Sequence, residues 1–324
     1  MPLIEDSSYR PPPGFRNPHV QTIVAAVLRR VPGVPYRRER IETDDDDFLD
    51  LEWVRGGQDR AVVISHGLEG DAGRPYVRGM ARALARRGFD VLAWHYRGCS
   101  GEPNRQLRSY HSGATDDLDA VVRHALRQGY ASLALVGFSL GGNLTLKYVG
   151  ERGPALDTRI RAAAALSVPV DLAAAADHLD AAAPALYRRR FLVSLRAKAR
   201  AAIRRFPGAL DGLDPAAVAT LRQFDDVFTA PIHGFRDAAD YYARSSSLQF
   251  LDAIAIPTLL LTAADDPFLP EACYPYSLAR AHQHVHFEAP PHGGHVGFVA
   301  FGAGGEFWSE HRVGAFLQGV LGRG

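Results

Sequence analysis

From residue 60 the chain falls into a rhythm. Continuous apolar runs of strand length occur at 61–64, 91–94, 133–136 and 162–168. Runs without polar alternation mark strands buried on both faces. Between them lie stretches of helical period at 76–87, 114–128 and 140–150. Gly88 and Gly129 follow the first two as stop signals. This alternation predicts right-handed βαβ units and a mostly parallel central sheet flanked by helices, an α/β fold.

The rhythm stops after Asp171. Residues 171–250 have few strand-like runs and much Ala, Arg and Leu, which predicts a helical insertion. Strand character returns at 258–261 and 285–287, and a last helix is predicted over 306–321. Upstream of the rhythm, 36–43 and 48–55 predict two strands joined by Asp44-Asp45-Asp46-Asp47. Charge runs are usually solvated, so these four are read as a hairpin turn rather than a cation site. Residues 1–35, rich in Pro and Arg with one apolar run at 20–28, predict a wrapping arm with one short helix. The domain reading is an arm at 1–35, a core at 36–170 and 251–324, and a cap at 171–250 inserted in that core.

Within the cap, residues 186–206 are strongly basic. Leu192, Leu195, Ala199, Ala202 and Phe206 recur at three- and four-residue steps, so a helix here turns an apolar face inward and most Arg outward. The pattern favours a solvated cap helix over contact with a lipid surface, with peripheral lipid contact left as the alternative.

Composition narrows the class. With 324 residues, 47% hydrophobic and 23% charged, the chain is one large domain or two small ones and is not disordered. Lys+Arg 37 against Asp+Glu 36 gives +1, so no global field recruits nucleic acid or an anionic membrane. Two cysteines, Cys99 and Cys273, cannot build a disulfide framework and fit a reducing compartment. The start lacks a basic stretch followed by an apolar one, so no signal peptide is expected. No apolar stretch approaches the roughly 20 residues a spanning helix needs. The expectation is a cytoplasmic globular protein; composition leaves its oligomeric state open.

Gly137-Phe138-Ser139-Leu140-Gly141 is a G-x-S-x-G motif between a predicted buried strand and a predicted helix. Small neighbours relieve the crowding of a sharp strand-to-helix turn, which lifts the Ser139 hydroxyl above the sheet edge. A serine needs a base, and this motif class runs in the order Ser, acid, His. His295 is the favoured base, in a Gly-flanked loop after the last predicted strand; His292 is its rival. Asp266, at the end of the strand over 258–261, is favoured as the acid that orients the imidazole. Asp265 is the alternative, and Asp171 is read as a hinge of the cap. The oxyanion hole needs backbone donors: the N–H of Leu140, and that of Leu68 in the loop Ser65-His66-Gly67-Leu68-Glu69-Gly70.

These pieces stand in the order of the α/β-hydrolase superfamily. More narrowly, the chain resembles the bacterial YheT-like and eukaryotic ABHD1/ABHD3-like branch, the AB hydrolase-4 family. The matching stretches are 15–22, 66–70, 96–104, 110–113, 137–143, 224–226, 265–268 and 292–298. The resemblance implies an α/β-hydrolase fold and a charge-relay set of Ser139, Asp266 and His295. It further implies carboxylic-ester hydrolysis, with short-chain esters, acylglycerols or phospholipids as substrates and no cofactor. An acyltransferase would use the same residues, and a non-catalytic binding protein on this fold would be expected to lose one of them.

Three smaller readings remain. Arg97 and Glu102 are expected to pair and brace their loop. Cys99 is expected to pack as a small apolar residue rather than act as a nucleophile. His282, His284 and His286 fall on one strand face by period two, but no carboxylate or thiolate stands in register, so no metal site is expected.

Overall fold

A computed structural model describes residues 3–322 except 182 and 211; residues 1–2 and 323–324, at the ends of the arm and core segments, lie outside it. The strands are β1 (Leu3–Ile4), β2 (Arg37–Glu42), β3 (Phe48–Val54), β4 (Arg60–Ser65), β5 (Asp90–Trp94), β6 (Ser132–Phe138), β7 (Ile160–Leu166), β8 (Thr258–Leu261) and β9 (Val285–Glu288). They form one sheet in the order β1-β9-β8-β7-β6-β4-β5-β3-β2. Among the described residues only the β2–β3 and β3–β5 pairings are antiparallel. This is the α/β-hydrolase fold, with β6 in the middle of the sheet.

Both faces of the sheet are apolar, as the continuous runs require. In β4, Ala61 and Val63 join one core cluster while Val62 and Ile64 join the other. The helices of the arm and the rhythmic region are α1 (Pro18–Ile23), α2 (Pro75–Ala85), α3 (Thr115–Arg127) and α4 (Leu140–Arg152). Between β7 and β8 the chain forms α5 (Leu172–Ala181), α6 (Ala185–Arg205), α7 (Leu221–Phe224), α8 (Ala230–His233) and α9 (Ala238–Ser245). It finishes with α10 (Tyr276–Ala281) before β9 and α11 (Trp308–Leu321) after it. Side chains of α2 and α11 pack on one sheet face, and those of α3 and α4 on the other. Among the described residues no helix is long and apolar enough to cross a membrane.

Three expectations are corrected. Arg97 does not pair with Glu102. Its buried guanidinium donates to Asp117 at 2.8 Å and Asp47 at 3.0 Å and pairs with Asp45 at 2.9 Å, while Glu102 pairs with Arg40 on the surface. The acidic turn is therefore only half solvated: Asp44 and Asp46 are exposed, but Asp47 is fully buried beneath Arg97. Burial selects this arrangement, because a buried guanidinium needs several acceptors and the exposed Glu102 cannot follow it inward. Third, the three histidines do not share a strand face. The strand begins at Val285, and His282 closes α10 with Nδ1 accepting from the His284 and Val285 N–H groups.

The Arg97 network supports a prediction. Arg97→Ala strands two or three carboxylates in the interior and should cost about 3–5 kcal/mol of stability. Urea unfolding of the variant against wild type measures it, and a loss below about 1 kcal/mol would refute a structural role for the network.

Candidate active site

The site lies at the carboxyl edge of the sheet, where β4, β6, β7, β8 and β9 all end. β6 delivers Ser139 into a sharp turn with φ 52° and ψ −118°, and α4 starts at the next residue. A non-glycine residue held at such a φ stores on the order of 1–3 kcal/mol. Its N–H donates to the Leu166 carbonyl at 2.8 Å, which ties the turn to β7. The flanking glycines permit the close approach: a Cβ on Gly137 would overlap the Gly141 carbonyl, and one on Gly141 would overlap the carbonyls of Ser65 and His66.

His295 Nε2 stands 2.9 Å from Ser139 Oγ. Its Nδ1 stands 3.0 Å and 2.9 Å from the two carboxylate oxygens of Asp266. An ionised carboxylate only accepts, so Nδ1 carries the proton and Nε2 presents a lone pair to the hydroxyl. Asp266 is buried and also accepts from the Phe268 N–H at 2.9 Å. The Phe268 ring stacks on His295 with 4.1 Å between centroids. The two rivals pair with each other: His292 Nδ1 lies 3.2 Å from Asp265, and Asp265 also accepts from the Gly294 N–H at 2.9 Å. Asp265 thus shapes the loop that carries His295. Asp171 caps α5, accepting from the Ala174 N–H at 3.0 Å.

Three supporting residues were not legible as such. Thr22, in the arm, accepts the His295 N–H at 2.9 Å, and Ser167 accepts the Val296 N–H at 2.9 Å. Phe268 is the third. The loop they hold has left-handed backbone at Val296, φ 59°, and Phe298, φ 45°. Thr22 lies in one of the stretches that carry the family resemblance, but no local pattern says where its hydroxyl points.

The loop after β4 passes close to Ser139: a Cβ on Gly67 would sit 3.3 Å from that of Ser139. The Gly67 carbonyl accepts from His66 Nδ1 at 2.8 Å and from the Gly70 N–H at 3.0 Å. In a trans peptide the N–H points opposite the C=O, so these bonds fix the direction of the Leu68 N–H. Among the described residues neither the Leu68 nor the Leu140 N–H has a protein acceptor. His66 is wholly buried, and desolvation lowers its pKa to about 3, so it stays neutral. Its Nε2 accepts the Tyr96 N–H at 3.2 Å, which sets the tautomer that donates to Gly67. The next residue, Glu69, has φ 53° and is anchored at both ends. Its carboxylate accepts from Tyr110 Oη at 2.6 Å, from Lys198 Nζ at 2.7 Å and from the Ser194 hydroxyl, so α6 is fastened to this loop.

Residues 60–300 match the family model described as alpha/beta hydrolase fold. The chain belongs to the α/β-hydrolase family. This α/β-hydrolase is 38% identical to the candidate esterase YheT of Escherichia coli (strain K12), over 97% of the chain and 94% of that protein. It is 30% identical to mouse phospholipase ABHD3, over 86% of the chain and 70% of that protein. These relatives put it in the YheT- and ABHD3-like branch. Among solved structures, the Pyrococcus furiosus esterase Pf2001 aligns with TM-score 0.60 and 19% identity, over 90% of this chain and 97% of that one, a likeness of fold.

A cavity of about 400 Å³ opens beside Ser139 in this α/β-hydrolase. Its apolar wall includes Leu172, Leu179, Leu195, Phe224, Phe228 and Phe268. Leu68 and Leu140 line it too, and Asp225 is at its wall with both oxygens engaged, one by Thr229 and one by Tyr242, each at 2.6 Å. Burial pushes the Asp225 carboxyl up to about 6. His111, in another resemblance stretch, accepts the Gly113 N–H at 3.1 Å and faces His233 at 4.4 Å; burial keeps it neutral.

Among the described residues no three His, Cys, Asp or Glu side chains are grouped to hold a metal ion. Cys99 is not purely a packing residue, since its sulfur accepts from Lys198 Nζ at 3.1 Å. Burial pushes the Cys99 thiol up to about 11 and the Cys273 thiol up to about 12. Both should therefore resist iodoacetamide in the native chain at about pH 8 and react after denaturation. Rapid native alkylation of Cys99, read by mass spectrometry, would contradict this.

Proposed function

We propose that this α/β-hydrolase cleaves carboxylic esters through an acyl-enzyme on Ser139. The observation that carries the reading is the unbroken chain from the Ser139 hydroxyl through His295 to buried Asp266. The two relatives named an esterase and a phospholipase support the reaction class.

In this mechanism Ser139 Oγ attacks the acyl carbon while its proton passes to His295 Nε2. The oxyanion that forms is received by the N–H groups of Leu68 and Leu140, the latter at the start of α4. Asp266 stays ionised and stabilises the imidazolium. His295 returns the proton to the leaving alcohol as the carbon–oxygen bond breaks. Water then attacks the acyl-enzyme, gives its proton to His295, and the collapse of the second tetrahedral species frees the acid and restores Ser139.

The segment from α5 to α9 acts as the cap over this chemistry. Its apolar inner residues favour an uncharged acyl chain. A p-nitrophenyl ester series from acetate to palmitate tests the substrate class. Turnover should be highest among short- to medium-chain esters and low for palmitate. Activity confined to charged or peptide substrates would refute the assignment.

A further inference from the structure

The cationic outer face of α6 has no partners among the described residues. The helix carries seven Arg and one Lys in 21 residues and no Asp or Glu. Its inward cations are engaged: Lys198 by Glu69, and Arg188, Arg196 and Arg205 by backbone carbonyls. Arg189, Arg190, Arg200 and Arg204 are exposed and, among the described residues, make no ion pair or hydrogen bond. Elsewhere the same chain balances its helical cations at four-residue spacing, as in Arg123–Asp119, Lys147–Glu151 and Arg244–Asp240. A merely solvated face would be expected to do likewise.

Large apolar side chains are interleaved with these arginines. Leu186 is 66% exposed and Val193 is 59% exposed, on the same stripe as Arg189 and Arg190. A second apolar stripe adjoins the first. His19 Nδ1 and Tyr187 Oη are 3.0 Å apart, joining α1 to the first turn of α6. Val20 follows His19, and the exposed stripe continues through Ile23 and Val27 to Leu28, which is 65% exposed. Arg16 and Arg30, at either end of this segment, are exposed as well. Phe301, at 76% exposure, packs against Phe15 and extends the apolar surface. Exposed large hydrophobic side chains scattered singly mean little, but seven of the ten in the described residues belong to this arm, to α6 or to Phe301.

We infer that the arm and the outer face of α6 form a docking surface for a phospholipid bilayer bearing anionic headgroups. Unpaired arginines complement the headgroup charge, and the interleaved aliphatics enter the headgroup–acyl boundary. Aliphatics contribute little to binding a phosphodiester backbone, which favours a lipid surface over a nucleic acid. The inner face of α6 lines the cavity beside Ser139 through Phe191, Leu195 and Lys198. One helix thus separates the docked surface from the acyl cavity, so an ester dissolved in the bilayer would be presented next to the nucleophile.

The test is co-sedimentation of the full chain with phosphatidylcholine vesicles, with and without phosphatidylglycerol, at low and high salt. Binding should require phosphatidylglycerol and weaken with salt. The fourfold variant Arg189→Gln, Arg190→Gln, Arg200→Gln, Arg204→Gln should bind at least about tenfold more weakly. A second variant, Val27→Ser, Leu28→Ser, Leu186→Ser, Val193→Ser, should also lose binding, at either salt concentration. Thermal melts and turnover of a water-soluble ester, both near wild type, separate this loss from misfolding and from failure of the ester-hydrolase reading. Wild-type binding that is absent, equal on neutral vesicles, or weaker than binding to an RNA homopolymer would overturn the inference. So would unchanged binding by the fourfold variant.

Discussion

Ser139→Ala is expected to lower ester turnover about a millionfold, with the fold retained. The variant removes the proposed attacking oxygen and leaves the cavity, the His295–Asp266 pair and both proposed backbone donors in place. Stability should stay level or fall by no more than about 1 kcal/mol, because alanine leaves the backbone strain in place and gives up one hydrogen bond, to His295. Residual activity should come from the oxyanion donors and substrate positioning alone. Steady-state kinetics on the best p-nitrophenyl ester, alongside a thermal melt, measures both effects. A folded Ser139→Ala protein with more than about one hundredth of wild-type kcat would exclude Ser139 as the nucleophile.

Asp266→Asn is expected to lower kcat about ten-thousandfold. An asparagine facing His295 Nδ1 can donate, which favours the tautomer with its proton on Nε2, the wrong side for accepting from Ser139. Asp265→Asn is the matched control. It keeps the Gly294 contact in altered form and weakens the tie to His292, so activity should fall by about tenfold or less. The pair of variants discriminates between two adjacent carboxylates by their geometry: Asp266 meets His295, whereas Asp265 meets His292. An inactive Asp265→Asn beside a near-normal Asp266→Asn would reverse the assignment.

The sheet was legible because its inner strands are buried on both faces and therefore read as continuous apolar runs. β1 was not, since two residues carry no period; Leu3 and Ile4 are a strand only because β9 offers an edge. The elbow at Ser139 and the loops carrying Leu68 and His295 announce themselves through glycines that only close backbone approach requires. Side-chain partners across long sequence distances do not. Thr22 reaches His295, and Asp47 reaches Arg97, through folding that no local spacing encodes. The misread pairing of Arg97 with Glu102 shows the same limit: nearness in sequence suggested a bridge, and burial decided otherwise. The exposed face of α6 is a related case. Its period told inside from outside, but the lack of partners for Arg189, Arg190, Arg200 and Arg204 among the described residues is visible only when every neighbouring side chain is placed.

Ser139, activated by His295, is the proposed nucleophile poised for acyl transfer. Incubation of the folded chain with a fluorophosphonate probe, followed by peptide mapping, tests it most directly. A single covalent adduct on Ser139 is expected, lost in Ser139→Ala and strongly slowed in Asp266→Asn. No adduct on the folded chain, or an adduct on another residue with Ser139 unmodified, would contradict it.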